Sequence, residues 1–112
     1  MTQYHFAAKV SDLGAGEIVP VTVAGTEMIL YRVADRFFAA QRRCLHQGAD
    51  LAEGLLLRGA IVCARHGWRF DAETGVHEMS PENCLVTYRV TVDGDQVLVD
   101  PTPIRNARVV AP

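Results

Sequence analysis

The sequence is poor in cysteine and aromatic residues, and it has no long apolar run. Its three cysteines, an odd number among 112 residues, exclude a dense disulfide framework. No stretch approaches the roughly 20 apolar residues of a membrane-spanning helix. The first residues also lack the basic, apolar and small-residue segments that make up a signal peptide. A cytoplasmic protein is therefore expected. The net charge of −2 argues against a nucleic-acid partner, and the absence of a glycine-rich dinucleotide fingerprint argues against direct hydride transfer.

Sustained helical periodicity is also missing, and strand patterns dominate the chain. Strands are predicted over Tyr4–Val10, Glu17–Ala24, Glu27–Ala34, Phe37–Gln41, Val86–Val92 and Gln96–Asp100. The last two flank an Asp-Gly pair, which is typical of a hairpin turn. A single turn of helix is predicted within 49–57. At this length the chain is one domain, and the pattern predicts an all-β fold, an antiparallel β-sandwich or barrel.

Two short motifs carry candidate metal ligands. Cys44-Leu45-His46 is followed, after 16 intervening residues, by Cys63-Ala64-Arg65-His66. Each motif alone is weak evidence, but together they offer two thiolates and two imidazoles. Tetrahedral zinc accepts the same donors, although zinc fingers usually place Cys with Cys and His with His. One Cys and one His on each segment favours an iron–sulfur cluster over zinc.

This C-x-H…C-x2-H pattern resembles the Rieske [2Fe–2S] signature. The flanking segments 47–54 and 66–75, which contain QGADL and HGWRFD, are similar to the two cluster loops of that family. The resemblance extends from about residue 4 to residue 100. It implies one [2Fe–2S] cluster per chain, with Cys44 and Cys63 on the inner iron and His46 and His66 on the outer, more exposed iron.

The resemblance also implies how the domain is organised. A single Rieske domain would occupy residues 1–112, with a base of about 1–41 and 79–104. A cluster-binding subdomain would be inserted at about 42–78. Trp68 and Phe70 are expected to pack beneath the cluster loops, and Cys84 is expected to be a small buried apolar residue.

Such a cluster makes the chain an electron carrier and not an enzyme. Neutral imidazoles in place of two thiolates leave the cluster less negative, which raises its reduction potential relative to an all-cysteine site. Rieske proteins of cytochrome bc-type complexes carry one extra cysteine in each loop and a membrane anchor. The corresponding positions here are Ala49 and Arg65. The sequence therefore does not resemble the Rieske proteins of cytochrome bc-type complexes at these positions.

Other relatives suggest the partners. HGWRFD is similar to the N-terminal domain of ring-hydroxylating oxygenase large subunits, but the catalytic domain of those subunits is not expected in this protein. Ser80–Leu85 and the tail resemble the ferredoxin component of toluene 4-monooxygenase-type diiron enzymes. The resemblance implies a monomeric ferredoxin between an NADH-dependent reductase and a terminal oxygenase, either a diiron monooxygenase or a ring-hydroxylating dioxygenase, in aromatic compound oxidation. The alternatives are a small subunit of a nitrite reductase-like complex, a subunit built permanently into a larger enzyme, and a zinc-binding structural module.

Charge is unevenly distributed along the chain. Residues 36–69 hold six arginines against Asp50 and Glu53. These arginines are either ordinary solvated charges or a docking face for an acidic partner. Arg42, Arg43 and Arg65, which lie beside the candidate ligands, are the proposed docking residues.

Overall fold

The chain folds into short antiparallel strands. A computed structural model describes residues 3–45, 48–65 and 67–105. The strands are β1 (His5–Lys9), β2 (Ile18–Val23), β3 (Thr26–Val33), β4 (Arg36–Gln41), β5 (Leu55–Leu57), β6 (Ala60–Val62), β7 (Arg69–Asp71), β8 (Val86–Tyr88), β9 (Val90–Asp93), β10 (Gln96–Val99) and β11 (Ile104–Arg105). Two 3₁₀ turns, Val10–Asp12 and Leu51–Glu53, accompany them. Within the described ranges, no helix has the length and apolar character that crossing a membrane requires.

The strands form three sheets in layers. A five-stranded sheet has the order β11-β8-β4-β3-β2, and two three-stranded sheets have the orders β1-β10-β9 and β5-β6-β7. Successive side chains of a strand point to opposite faces, and β3 is buried on both. Its Met28 lies in one apolar cluster with Val97 of β10, whereas Ile29 lies in another with Phe70 of β7. The five-stranded sheet is therefore the middle layer, and the prediction of an antiparallel all-β fold is confirmed.

The largest difference from the predicted strands lies near the end of the chain. The segment 86–92, predicted as one strand, is divided at Arg89. β8 pairs with β4 in the middle sheet, whereas β9 pairs with β10 in an outer sheet. The chain crosses from one layer to the other at this point. The turn between β9 and β10 contains Gly94, whose φ of 60° is the left-handed conformation that favours glycine.

The segment between the two motifs is more regular than its sequence indicated. The helical turn predicted within 49–57 is the 3₁₀ turn Leu51–Glu53, and it leads directly into β5. β6 pairs antiparallel with both β5 and β7. The resulting sheet covers the Ile29 face of the middle layer.

A buried tyrosine links the middle sheet to the β5-β6-β7 sheet. The Tyr31 hydroxyl donates a hydrogen bond to the Ala72 carbonyl, 2.5 Å away, just after β7. Burial, with a smaller contribution from the Asp71 carboxylate, raises the pKa of Tyr31 well above its ordinary value. The hydroxyl therefore stays protonated and remains a donor.

Replacing Tyr31 with Phe removes this donor and keeps the ring. We expect the free energy of unfolding to fall by about 1–3 kcal/mol, because the Ala72 carbonyl loses a buried partner. Urea unfolding followed by circular dichroism measures this loss of unfolding free energy. Tyr4→Phe, at an exposed position, is the matched control, and equal midpoints for the two variants would refute a linking role for Tyr31.

Candidate metal centre

The two cysteines of the motifs lie at the start of two loops with the same backbone hydrogen bonds. In the first loop, residues 44–49, the Cys44 amide donates to the Ala49 carbonyl at 2.7 Å, and the Gly48 amide donates to the Cys44 carbonyl at 3.1 Å. In the second loop, residues 63–68, the equivalent bonds join Cys63 to Trp68 at 2.9 Å and Gly67 to Cys63 at 3.0 Å. The loops therefore present their cysteines in equivalent positions.

A glycine closes each loop at the same offset from its cysteine. Gly48 has a φ of 66° and Gly67 a φ of 70°. Residues other than glycine rarely adopt this conformation. The backbone geometry therefore favours glycine as the fourth residue after each cysteine. His46 and His66, the predicted imidazole ligands, belong to these loops by sequence but lie outside the described residues.

Both thiols are in the protein interior. Cys44 is 3% exposed and Cys63 is 1% exposed, and both belong to the apolar cluster that contains Phe70. All three cysteines of the chain lie within the described residues and none forms a disulfide. Two sulfur donors in an apolar setting suit a soft-metal site, because thiolates bind iron–sulfur clusters and zinc. The donors that the structure describes therefore fit the inner side of a [2Fe–2S] cluster.

Described residues on either side of the two histidines in sequence are exposed to solvent. Leu45, directly before His46, is 44% exposed, and Gly48, Arg65 and Gly67 are also exposed. Among the described residues, the two loops therefore combine buried cysteines with exposed neighbours of the histidines.

A buried histidine that the sequence did not single out supports the second loop. The His77 ring lies edge-on to Trp68, 4.5 Å between centroids, and to Phe70 at 5.3 Å. Its Nδ1 accepts hydrogen bonds from the backbone amides of Met79 and Ser80, each at 3.0 Å. An Nδ1 used in this way carries no proton, so the proton of the neutral ring is on Nε2. His77 therefore packs against the two aromatic residues that were expected to lie beneath the cluster loops. Of these, Phe70 is fully buried and Trp68 is half-buried.

The third cysteine lies apart from the loops. Cys84 is half-buried and pairs through an isolated bridge with Val76. Its Sγ is 3.5 Å from the Thr74 carbonyl and 3.3 Å from the Leu85 carbonyl. It is less buried than the sequence predicted.

The candidate docking arginines are not equivalent. Arg43 and Arg65 are exposed and contribute to a cleft of about 300 Å³ between the two loops. Arg42 instead binds Asp50 through both carboxylate oxygens. These hydrogen bonds, helped by one from the Ala52 amide, hold the pKa of Asp50 below its ordinary value despite partial burial. Arg42 is therefore better explained as a structural residue than as a docking residue.

A layered β fold with two buried cysteines on matched loops, each loop also carrying a histidine, defines a small iron–sulfur protein. The sequence profile of the Rieske [2Fe–2S] domain matches residues 3–89. The chain belongs to this family, and its cofactor is a [2Fe–2S] cluster.

Several relatives are ferredoxin components of oxygenase systems. The ferredoxin component of the naphthalene 1,2-dioxygenase system of Pseudomonas aeruginosa is 33% identical over 95 residues, covering 84% of this chain and 91% of that protein. The ferredoxin component of the alkene monooxygenase system of Xanthobacter autotrophicus is 34% identical, covering 91% and 84%. Among solved structures, a chain of the complex of reduced oxygenase and oxidized ferredoxin in carbazole 1,9a-dioxygenase superposes with a TM-score of 0.79 at 32% identity, covering 89% of this chain and 94% of that one.

Proposed function

We propose that this protein is an electron-transfer ferredoxin that carries one electron from an NADH-dependent reductase to a terminal oxygenase in aromatic compound oxidation. The observation that carries the proposal is the pair of matched loops with buried Cys44 and Cys63, in a chain similar to oxygenase ferredoxins over most of its length. When bound, the cluster supplies one-electron redox chemistry. The chain's own contribution is to hold the cluster and to present one side of it to partners.

The ligand assignment is part of the proposal. Cys44 and Cys63 would hold the inner iron, and His46 and His66 the outer iron. The exposure of Leu45 and Arg65, which precede the two histidines, supports electron exchange through the outer iron. We also propose that residues 42–78 form the cluster-binding subdomain, and that residues 1–41 and 79–104 form its base.

The proposed partners can be tested by anaerobic mixing. The protein is reduced with dithionite, freed of excess reductant, and mixed with an oxidised terminal oxygenase. Reoxidation at a rate that rises with oxygenase concentration supports the proposal. Relatives serve both dioxygenase and monooxygenase systems, so a ring-hydroxylating dioxygenase and a diiron monooxygenase are both assayed. Failure to reduce either class would contradict the proposal.

The setting of the protein in the cell is also proposed. It would act as a monomer in the cytoplasm, where NADH supplies the reductase. Size-exclusion chromatography of the chain alone tests the monomeric state. A stable complex with an oxygenase subunit that never dissociates during turnover would instead indicate a permanent subunit.

The two exposed arginines give a testable docking contribution. Reversing both, with Arg43→Glu and Arg65→Glu, should slow bimolecular electron delivery about tenfold at low salt and weaken its salt dependence, because steering of an acidic partner is lost. Stopped-flow mixing at several ionic strengths measures both effects. Lys9→Glu with Arg89→Glu makes the same change of net charge at exposed positions outside the loops. If both double variants slow equally, the local docking role is refuted.

A further inference from the structure

The two cluster loops are supported differently at their ends. The second loop closes a regular hairpin, since β6 pairs with β7 through three consecutive residue pairs that end at Val62 and Arg69. The first loop is flanked by one isolated bridge, between Arg43 and Asp50. A single bridge resists opening less than a ladder does, so the first loop needs another means of support.

An ion pair spans the ends of the first loop. Arg42 Nε is 3.0 Å from one Asp50 carboxylate oxygen, and Nη2 is 2.9 Å from the other. This two-point geometry fixes orientation as well as distance. The side chains are 25% and 17% exposed, so the pair is largely shielded from solvent.

Both residues of the pair are also held by the backbone. The Arg42 carbonyl accepts from the Leu51 amide at 2.8 Å, and the Asp50 carboxylate accepts from the Ala52 amide at 3.0 Å at the start of the 3₁₀ turn. Glu27 of β3 lies 3.7 Å from Arg42 Nη1. The guanidinium therefore connects the far end of the first loop to the middle sheet.

We propose that the Arg42–Asp50 pair is a positioning clamp that replaces the missing strand ladder and fixes the first loop for cluster binding. The clamp would act through the backbone of the loop that holds Cys44. The expected effect of the clamp on the cluster rests on the proposed function. The expected effect of the clamp on the loop backbone does not.

Two conservative variants separate geometry from charge. Arg42→Lys keeps the positive charge but loses the planar two-point fork. Asp50→Asn loses the charge but keeps an oxygen that can cap the 3₁₀ turn. If the clamp depends on the two parallel hydrogen bonds of the guanidinium, both variants should make the first loop more mobile. Glu73→Gln is the matched control, because it breaks the exposed Arg36–Glu73 pair, which lies at 2.8 Å with side chains 64% and 58% exposed.

The test is hydrogen–deuterium exchange of the cluster-loaded protein, read by mass spectrometry. Peptides covering residues 43–53 should exchange faster in Arg42→Lys and Asp50→Asn than in wild type, whereas those covering 62–70 should be unchanged. Release of iron to a chelator should be about 10-fold faster in both variants, as expected when residues supporting metal ligands are altered. The g values of the reduced protein should also shift, and Glu73→Gln should match wild type in all three measurements.

Three results would overturn the clamp. First-loop exchange that matches wild type in both variants excludes it. Equal acceleration in the first loop, the second loop and the middle sheet indicates general destabilisation. If Arg42→Lys exchanges like wild type while Asp50→Asn exchanges faster, the charge of the pair and not its two-point geometry supports the loop. Failure of the proposed function would appear separately, as wild-type protein that neither binds iron nor reduces an oxygenase.

Discussion

Replacing either Cys44 or Cys63 with Ser should abolish cluster binding. A serine hydroxyl is a harder donor than a thiolate and keeps its proton at neutral pH, so it does not replace a soft ligand of iron. Both cysteines are almost fully buried at the start of matched loops, so the position that a lost thiolate vacates is shielded from solvent. Because metal binding is coupled to folding, we also expect the β5-β6-β7 sheet to lose stability.

The third cysteine is the matched control for this experiment. Cys84→Ser makes the same atomic change at a half-buried position whose sulfur lies near the Thr74 and Leu85 carbonyls. It should keep the full iron and sulfide content and the visible absorbance of wild type. Full cluster absorbance in Cys44→Ser or Cys63→Ser would show that the ligand assignment is wrong.

Replacing Gly54 with Ala should strongly destabilise the protein. A methyl group at this position would lie less than 3.0 Å from the Val62 carbonyl oxygen, closer than real Cβ atoms approach other heavy atoms. The obstacle is the backbone of β6, directly before Cys63, so relief requires moving the strand that leads into the second loop. We expect a loss of about 3 kcal/mol, which is roughly 10 °C or more in the melting temperature. Thermal unfolding of the cluster-loaded protein measures this loss.

Gly94→Ala separates steric overlap from the general cost of losing a glycine. Gly94 lies in the β9–β10 turn with a φ of 60°, and a methyl group added there would meet no described atom within 4 Å. Its replacement should cost only about 1 kcal/mol, from the left-handed conformation alone. Similar melting temperatures for the two variants would contradict the close approach at Gly54.

Much of the fold follows from local sequence patterns. Short runs rich in apolar and β-branched residues, separated by turn residues, predict the antiparallel strands β2, β3 and β4, and the Asp-Gly pair predicts the turn between β9 and β10. These signals suffice because strand propensity and turn chemistry are both local properties. The family is identifiable for a similar reason, since two cysteines and two histidines at this spacing are typical of one cofactor.

Features that depend on distant residues were not predictable in the same way. Alternation in 86–92 continues across Arg89, although β8 and β9 belong to different sheets, because the side-chain pattern does not record which sheet a strand joins. β5 and β6 are three residues each, too short for a clear period. Their position is fixed by packing against the middle sheet.

The candidate site shows the same limit. The sequence places Arg42 among the docking arginines, but its partner Asp50 is eight residues away and is found only when the loop is closed. His77 gave no sequence signal either, because its role depends on its contacts with Trp68 and Phe70. Spacing identifies the donors, whereas only the folded chain identifies what holds them.

Electron paramagnetic resonance of the purified protein, before and after reduction with dithionite, tests the central claim most directly when combined with metal and sulfide analysis. The oxidised protein should contain about two irons and two sulfides per chain, and reduction by one electron should produce the signal of a mixed-valence iron pair. A colourless protein that holds one zinc ion and gives no signal after dithionite would contradict the account.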